Sequence, residues 1–160
     1  MDFKPTTIAE FQCHAIETLL REFPNLKTGG FNSRIEGRVA TPAVFLELTE
    51  FSYPDNVPPD DCTLDCQFSL KLVGSSLVDD PVIQLEDLAI EISRFIRGNR
   101  WDIYAEPAIV ISSTADEFSP HDEAYRVWEI RFNQSIAIKE HLFMLEKPSM
   151  EEPPELRSGQ

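Results

Sequence analysis

The chain has 160 residues, eleven of them phenylalanine, with a formal net charge of -14 and a pI near 4.5. This length suits one domain with a sizeable core, and the aromatic content argues against a disordered chain. A strongly acidic surface repels phosphate, so direct binding to DNA or to an anionic membrane is disfavoured. No apolar run is typical of a signal peptide or long enough to cross a bilayer, so we expect no membrane-spanning segment.

The first predicted element is an amphipathic helix from Thr7 to Phe23. Thr7 and Glu10 have the spacing of a capping box, and Pro24 ends the helix. The apolar residues recur every three or four positions, as on one helix face: Ile8, Phe11, Ala15, Ile16, Leu19, Leu20 and Phe23. Residues 28–42 have paired glycines and no periodicity, which predicts a long exposed loop.

Two strands are predicted next. The stretch 43–53 alternates, with Val44, Leu46 and Leu48 on one side. The stretch 63–73 alternates more cleanly, and its apolar side carries Leu64, Cys66, Phe68, Leu70 and Leu72. One face of this strand is therefore expected in the core and the other in solvent. The prolines and aspartates of residues 54–61 predict a second long loop.

The next predicted element is a second amphipathic helix. Asp79, Asp80 and Pro81 resemble a cap followed by a first-turn proline, and Gly98 is placed as the C-terminal cap. Residues 100–104 and 108–112 are predicted as two short strands or as one strand broken at Pro107.

Residues 125–139 form the longest predicted strand, whose apolar side carries Trp128, Ile130, Phe132, Ile136 and Ile138. The element order predicts an α+β fold, with a mostly antiparallel sheet of about four strands, two helices packed on one face, and long loops. We assign residues 1–145 to this single domain. Residues 146–160 are polar and proline-rich, which indicates a C-terminal tail.

The three cysteines indicate a reducing compartment, because any disulfide scheme leaves one of them unpaired. Cys62 and Cys66 on one strand would lie roughly 13 Å apart, too far to bridge. We interpret Cys13, Cys62 and Cys66 as small packing residues.

The acidic segment 116–123 gathers four carboxylates and an imidazole, which are ligands for hard cations. It lacks the glycine-containing spacing of a calcium loop, so a solvated loop is the favoured interpretation. A metal-dependent hydrolase that uses Asp116 to Glu123 stays open as an alternative function. No nucleophile elbow, phosphate loop or dinucleotide-binding motif occurs, so we predict no enzyme and no cofactor.

The long loops and the polar side of the last strand are predicted to contact other proteins. Arginine and aromatic side chains dominate interface energetics, and long loops often carry function, although plain surface loops are an equally favoured interpretation. The candidate interface residues are Arg34, Arg38, Phe51, Tyr53, Glu129 and Arg131.

Several of these features together resemble a known family. The capped first helix, the segment 42–47, the helix that ends before Trp101 and the segment 125–134 resemble the tail terminator proteins of long-tailed bacteriophages. The similarity covers residues 7–139 and consists of element order and aromatic placement. Another neck, head-completion or baseplate subunit is the alternative within the same class.

The resemblance implies a virion protein, assembled in the host cytoplasm, that forms a ring at the head-proximal end of the tail tube. Such a ring is expected to have six subunits, to stop tube growth and to join the neck. The implied partners are further copies of the chain, the tail tube protein and a neck or head-completion protein, with the sheath as a further candidate. No membrane is implied, and DNA passes through the ring without specific binding, which suits an acidic lumen.

Overall fold

The described part of the chain folds into two helices and a five-stranded sheet. The structure is a computed structural model that describes residues 4–31, 39–55, 62–75, 81–103, 105–116 and 125–138. The elements in chain order are α1 (Ile8–Glu22), β1 (Thr28–Gly30), β2 (Ala43–Ser52), β3 (Thr63–Ser75), α2 (Pro81–Ile96), β4 (Ile109–Ala115) and β5 (Tyr125–Ala137). The predicted α+β class is confirmed.

The strands lie in the order β1-β2-β3-β5-β4, with β1 parallel to β2 and every other pair antiparallel. Within the described residues the sheet thus has five strands, where about four were predicted. The extra strand, β1, lies in the segment predicted as loop. The glycines of β1 led to its prediction as a loop. Packing requires glycine at position 29, because a Cβ there would lie 2.6 Å from Ile16 Cγ2 of α1. Glycine lets helix and strand approach closely.

Helix α1 begins and ends as predicted. The Glu10 N–H donates to Thr7 Oγ1 at 3.1 Å, and Glu10 Oε1 accepts from the Thr6 N–H at 2.6 Å. The returning bond of the capping box therefore reaches Thr6 instead of Thr7. Phe23 is the C-cap, directly before Pro24.

Beyond α2 the chain turns sharply. Gly98 has a φ of +78°, as expected of a C-terminal cap, whereas residues 79–80 lie outside the described part of the chain. The strand predicted for residues 100–104 is wrong, since Trp101 and Asp102 have φ values of 58° and 57° and form a turn. The apolar pattern there reflects burial of the Trp101 indole, which is 3% exposed. The next predicted strand is present as β4.

Both helices pack on one face of the sheet, and the main core lies between the helices and that face. The predicted inward residues of β3 and β5 are at or close to the core, with Phe68 and Phe132 stacked at 5.2 Å. Phe11 of α1 meets Phe68 at 5.1 Å, and Phe23 meets Phe95 of α2 edge-on at 5.6 Å. Aromatic contacts thus join α1 to the sheet and the two helices to each other.

One buried polar side chain, Gln134 of β5, organises the turn after α2. Its Oε1 accepts from Trp101 Nε1 at 2.8 Å, and its Nε2 donates to the carbonyls of Asn99 and Glu106 at 2.9 and 2.8 Å. Each polar group of the side chain is therefore paired, as burial requires.

The cysteines are free, and they differ in environment. Cys66 is buried, and desolvation together with the neighbouring Asp65 raises the pKa of its thiol to about 12. Cys13 is exposed, so its interpretation as a packing residue is wrong; desolvation and Glu17 raise the pKa of its thiol. Both are thiols at neutral pH, and neither is an activated nucleophile.

Candidate interaction surfaces

The sheet face opposite the helices, called here the open face, carries most of the polar strand residues. On the strands and the residue after β4 it presents five carboxylates against two cations. The carboxylates are Glu47, Glu50, Asp65, Asp116 and Glu129, and the cations are Lys71 and Arg131. The open face is therefore net negative, as the composition predicts for the whole surface.

Both cations of the open face are already paired. Lys71 Nζ lies 2.7 Å from Asp116 Oδ2, and Arg131 Nε lies 3.3 Å from Glu129 Oε1. Glu129 Oε2 also accepts from Ser69 Oγ at 2.6 Å. The structure thus brings the predicted contact residues Glu129 and Arg131 together, as neighbours two positions apart on one strand. Arg131 keeps a half-exposed side chain, whereas Glu129 is mostly covered.

Part of the open face is apolar instead of polar. Ala43, Phe45 and Val73 are buried there in a small second cluster, covered by Val39 and Tyr125 among others. The Val39 N–H donates to the Tyr125 hydroxyl at 2.9 Å, which holds the segment before β2 across this end of the sheet. The alternation of apolar and polar residues along the strands could not predict this second cluster, because the covering residues come from distant parts of the chain.

The other end of the open face has a shallow groove of about 320 Å³ that crosses β2, β3, β5 and the start of β4. Carboxylates of Glu50, Asp65 and Glu106 line it, and none of its described lining residues is a lysine or arginine. Asp65 accepts a hydrogen bond from Ser135, and Asn133 Oδ1 is buried without a partner among the described residues. The groove adds to the negative potential of this face.

The predicted aromatic pair Phe51 and Tyr53 is exposed, at 51% and 70%. The rings contact each other edge-on with centroids 6.2 Å apart. A register shift after Leu48 turns this end of β2, so that Phe51 pairs with Cys66 on β3. The exposure agrees with a contact role, which stays a prediction.

Two sheet edges carry exposed apolar residues that the sequence did not single out. On β4, Ile109 and Ile111 are 63% and 51% exposed, and Phe31, next to β1, is 43% exposed. Within the described residues no further strand pairs with the outer side of β1 or β4. A usable signal was present in β4, whose seven residues contain no charge to protect a free edge.

The other predicted site residues are two arginines and the acidic segment 116–123. Arg34 and Arg38 lie outside the described residues, as do residues 117–123 of the acidic loop. Asp116 of that loop is engaged with Lys71. Among the residues the structure describes, no three histidine, cysteine or acidic side chains converge to hold a metal ion. In the same part of the chain, no helix is both long and apolar enough to span a membrane.

Comparison with known proteins adds no assignment. No protein-family model matches the chain, and no curated protein sequence matches it significantly.

Proposed function

We propose that this chain is a structural subunit of a phage tail, a terminator that assembles into a ring on the head-proximal end of the tail tube. The observation that carries the proposal is the pair of exposed apolar sheet edges, at β1 and at β4. A closed ring needs two different complementary patches on each subunit, because every copy contacts its neighbours through unlike surfaces. The two edges are unlike and lie on opposite sides of one sheet.

The charge of the open face supports the same proposal. Both of its cations are neutralised by neighbouring carboxylates, so the remaining acidic groups dominate. If that face lines the lumen, passing DNA is repelled instead of held. We expect the purified protein not to shift duplex DNA in a gel at near-physiological salt.

The direct test mixes the purified protein with tail tubes that lack their cap. Electron microscopy then measures tube length and the fraction of ends that carry a ring. We expect decorated ends and limited tube length. Decoration of the opposite end would indicate a baseplate subunit, and absence of both decoration and length control would refute the proposal.

The predicted loop contacts are tested in the same assay. Arg34→Glu or Arg38→Glu adds repulsion against an acidic partner, so each should lower ring occupancy. Lys4→Glu makes the same charge change in front of α1 and is the matched control. Normal binding by the arginine variants would remove these two residues from the interface and leave the ring itself intact.

A further inference from the structure

We infer that helix α2 carries a self-association surface, through which two copies of this chain pair antiparallel about a two-fold axis. The surface is the outward side of the helix, called here the α2 stripe, and it consists of Glu86, Ile90, Arg94 and Arg97. This contact goes beyond the proposed ring and is separate from it, because a two-fold contact joins two copies and closes on itself.

The α2 stripe faces away from the core. Its members recur every three or four positions, so they lie on one side of the helix. Arg97 directly follows α2, and its N–H still donates to the Ser93 carbonyl at 3.0 Å, which keeps it in line with the helix. The opposite side of α2 is buried in the main core through Leu85, Ala89, Ile92 and Ile96.

The centre of the stripe is apolar, and its charged groups are free to bind elsewhere. Ile90 is 53% exposed, and Arg94 and Arg97 are exposed beside it. Among the described residues, neither these arginines nor Glu86 forms an ion pair. The stripe therefore presents an apolar centre with a free carboxylate towards one end of the helix and free guanidinium groups towards the other.

This order of groups is complementary to itself when two helices run in opposite directions. Glu86 lies four positions before Ile90, and Arg94 lies four positions after it. The three residues form one row along the helix surface, of the kind that packs against a neighbouring helix. A two-fold axis beside Ile90 exchanges the ends of the row, so the Glu86 of each copy meets the Arg94 of the other. The result is two identical ion pairs around a pair of isoleucines.

A second copy fits the stripe better than an occupant of a single charge does. Nucleic acid is repelled by the net charge of -14, and Glu86 opposes an acidic protein surface. An antiparallel copy matches both signs of charge along the stripe. The same net charge and the small contact area limit the affinity, so we expect pairing only at high protein concentration, weakened by added salt.

Charge exchange tests the contact in sedimentation equilibrium over a wide concentration range. Arg94→Glu and Glu86→Arg each place like charges opposite each other across the axis, so each should weaken dimerisation about tenfold or more. An equal mixture of the two variants should pair better than either alone, because each ion pair is then restored. The double variant Glu86→Arg/Arg94→Glu should recover the affinity of the wild type.

Cysteine crosslinking tests the position of the axis in a Cys13→Ser background, which removes the exposed native thiol. Ile90→Cys should give a disulfide-linked dimer on a non-reducing gel, because the two thiols meet at the axis. Glu91→Cys is the matched control, since it is exposed on the same helix but lies about 100° further round it. The control variant should stay monomeric.

Three outcomes overturn the inference. A wild type that is monomeric at every concentration would mean that the arginines serve only the C-terminal end of α2, whose dipole favours cations. Tighter association of Glu86→Arg would mean that net charge alone controls pairing. Failure of the double variant to recover would assign the contact to another surface. The proposed ring survives each of these results, because it is judged by the decoration of tube ends.

Discussion

The two faces of the sheet are built from alternate residues of the same strands, yet they have opposite chemistry. On β5, Ile130 and Phe132 are buried under the helices, while Glu129 and Arg131 form an ion pair on the open face. Buried apolar area stabilises the fold, whereas exposed ion pairs contribute little. The helix-covered face should therefore contribute most of the free energy of unfolding. The open face and the sheet edges contribute less and can serve as contact surfaces.

The strongest test of this contrast is Phe132→Ala. The side chain is 1% exposed and contacts both Phe68 and Trp101. Its removal leaves a cavity and should lower the free energy of unfolding by about 3–5 kcal/mol. Chemical denaturation measures the change, and Arg131→Ala, the adjacent residue on the open face, is the control. A similar midpoint for both variants would contradict the contrast.

The next largest loss of unfolding free energy is expected on substitution of the buried Gln134. Gln134→Leu deprives the Trp101 indole N–H and the carbonyls of Asn99 and Glu106 of their partner. Unpaired buried polar groups are costly, so we expect a loss of about 2–3 kcal/mol in thermal or chemical unfolding. Asn133→Ala is the neighbouring control, since no described residue pairs with Asn133 Oδ1. Equal losses in both variants would mean that the hydrogen bonds of Gln134 contribute nothing specific.

A smaller change is expected at the open-face ion pair. Lys71→Met keeps the length of the side chain and removes its bond to Asp116. Partly exposed pairs of this kind contribute up to about 1 kcal/mol, and added salt should reduce the difference from the wild type. Unfolding measured at low and high salt checks both points. A salt-independent loss of several kcal/mol would place this face among the stabilising regions.

The smallest effect is expected at the C-terminus. Removal of residues 148–160 deletes a polar, proline-rich segment that can bury little apolar area, so the melting temperature should stay nearly unchanged. Calorimetry of the truncated and full chains decides this. A large fall in melting temperature would indicate that the segment docks on the domain or on a neighbouring copy.

Local sequence patterns predicted most of the helices and strands. The periodicity of α1, the alternation of β3 and β5 and the capping residue Thr7 all depend on neighbours in the chain, and each prediction is confirmed. Such patterns reflect backbone geometry, which repeats at a fixed interval in helices and strands. Phe51 and Tyr53, predicted as contact residues beside the second loop, are exposed, and their contact role stays a prediction.

Other features depended on contacts between distant segments. Gly29 of β1 lets α1 approach the strand closely, and the turn at Trp101 is held by Gln134, 33 positions away. Neither feature produces a repeating pattern of apolar residues in the sequence. The position of β1 and β4 at the two ends of the strand order is likewise a property of the assembled sheet.

Local periodicity and composition thus predict the α+β class, the two helices, the core faces of the long strands and the acidic surface. Long-range contacts set which strands lie at the edges, that Ile109, Ile111 and Phe31 stay exposed there, and that Glu129 and Arg131 pair with each other. The physical reason is that an edge is defined by the absence of a neighbouring strand, and strand neighbours are set by long-range pairing that no local pattern encodes.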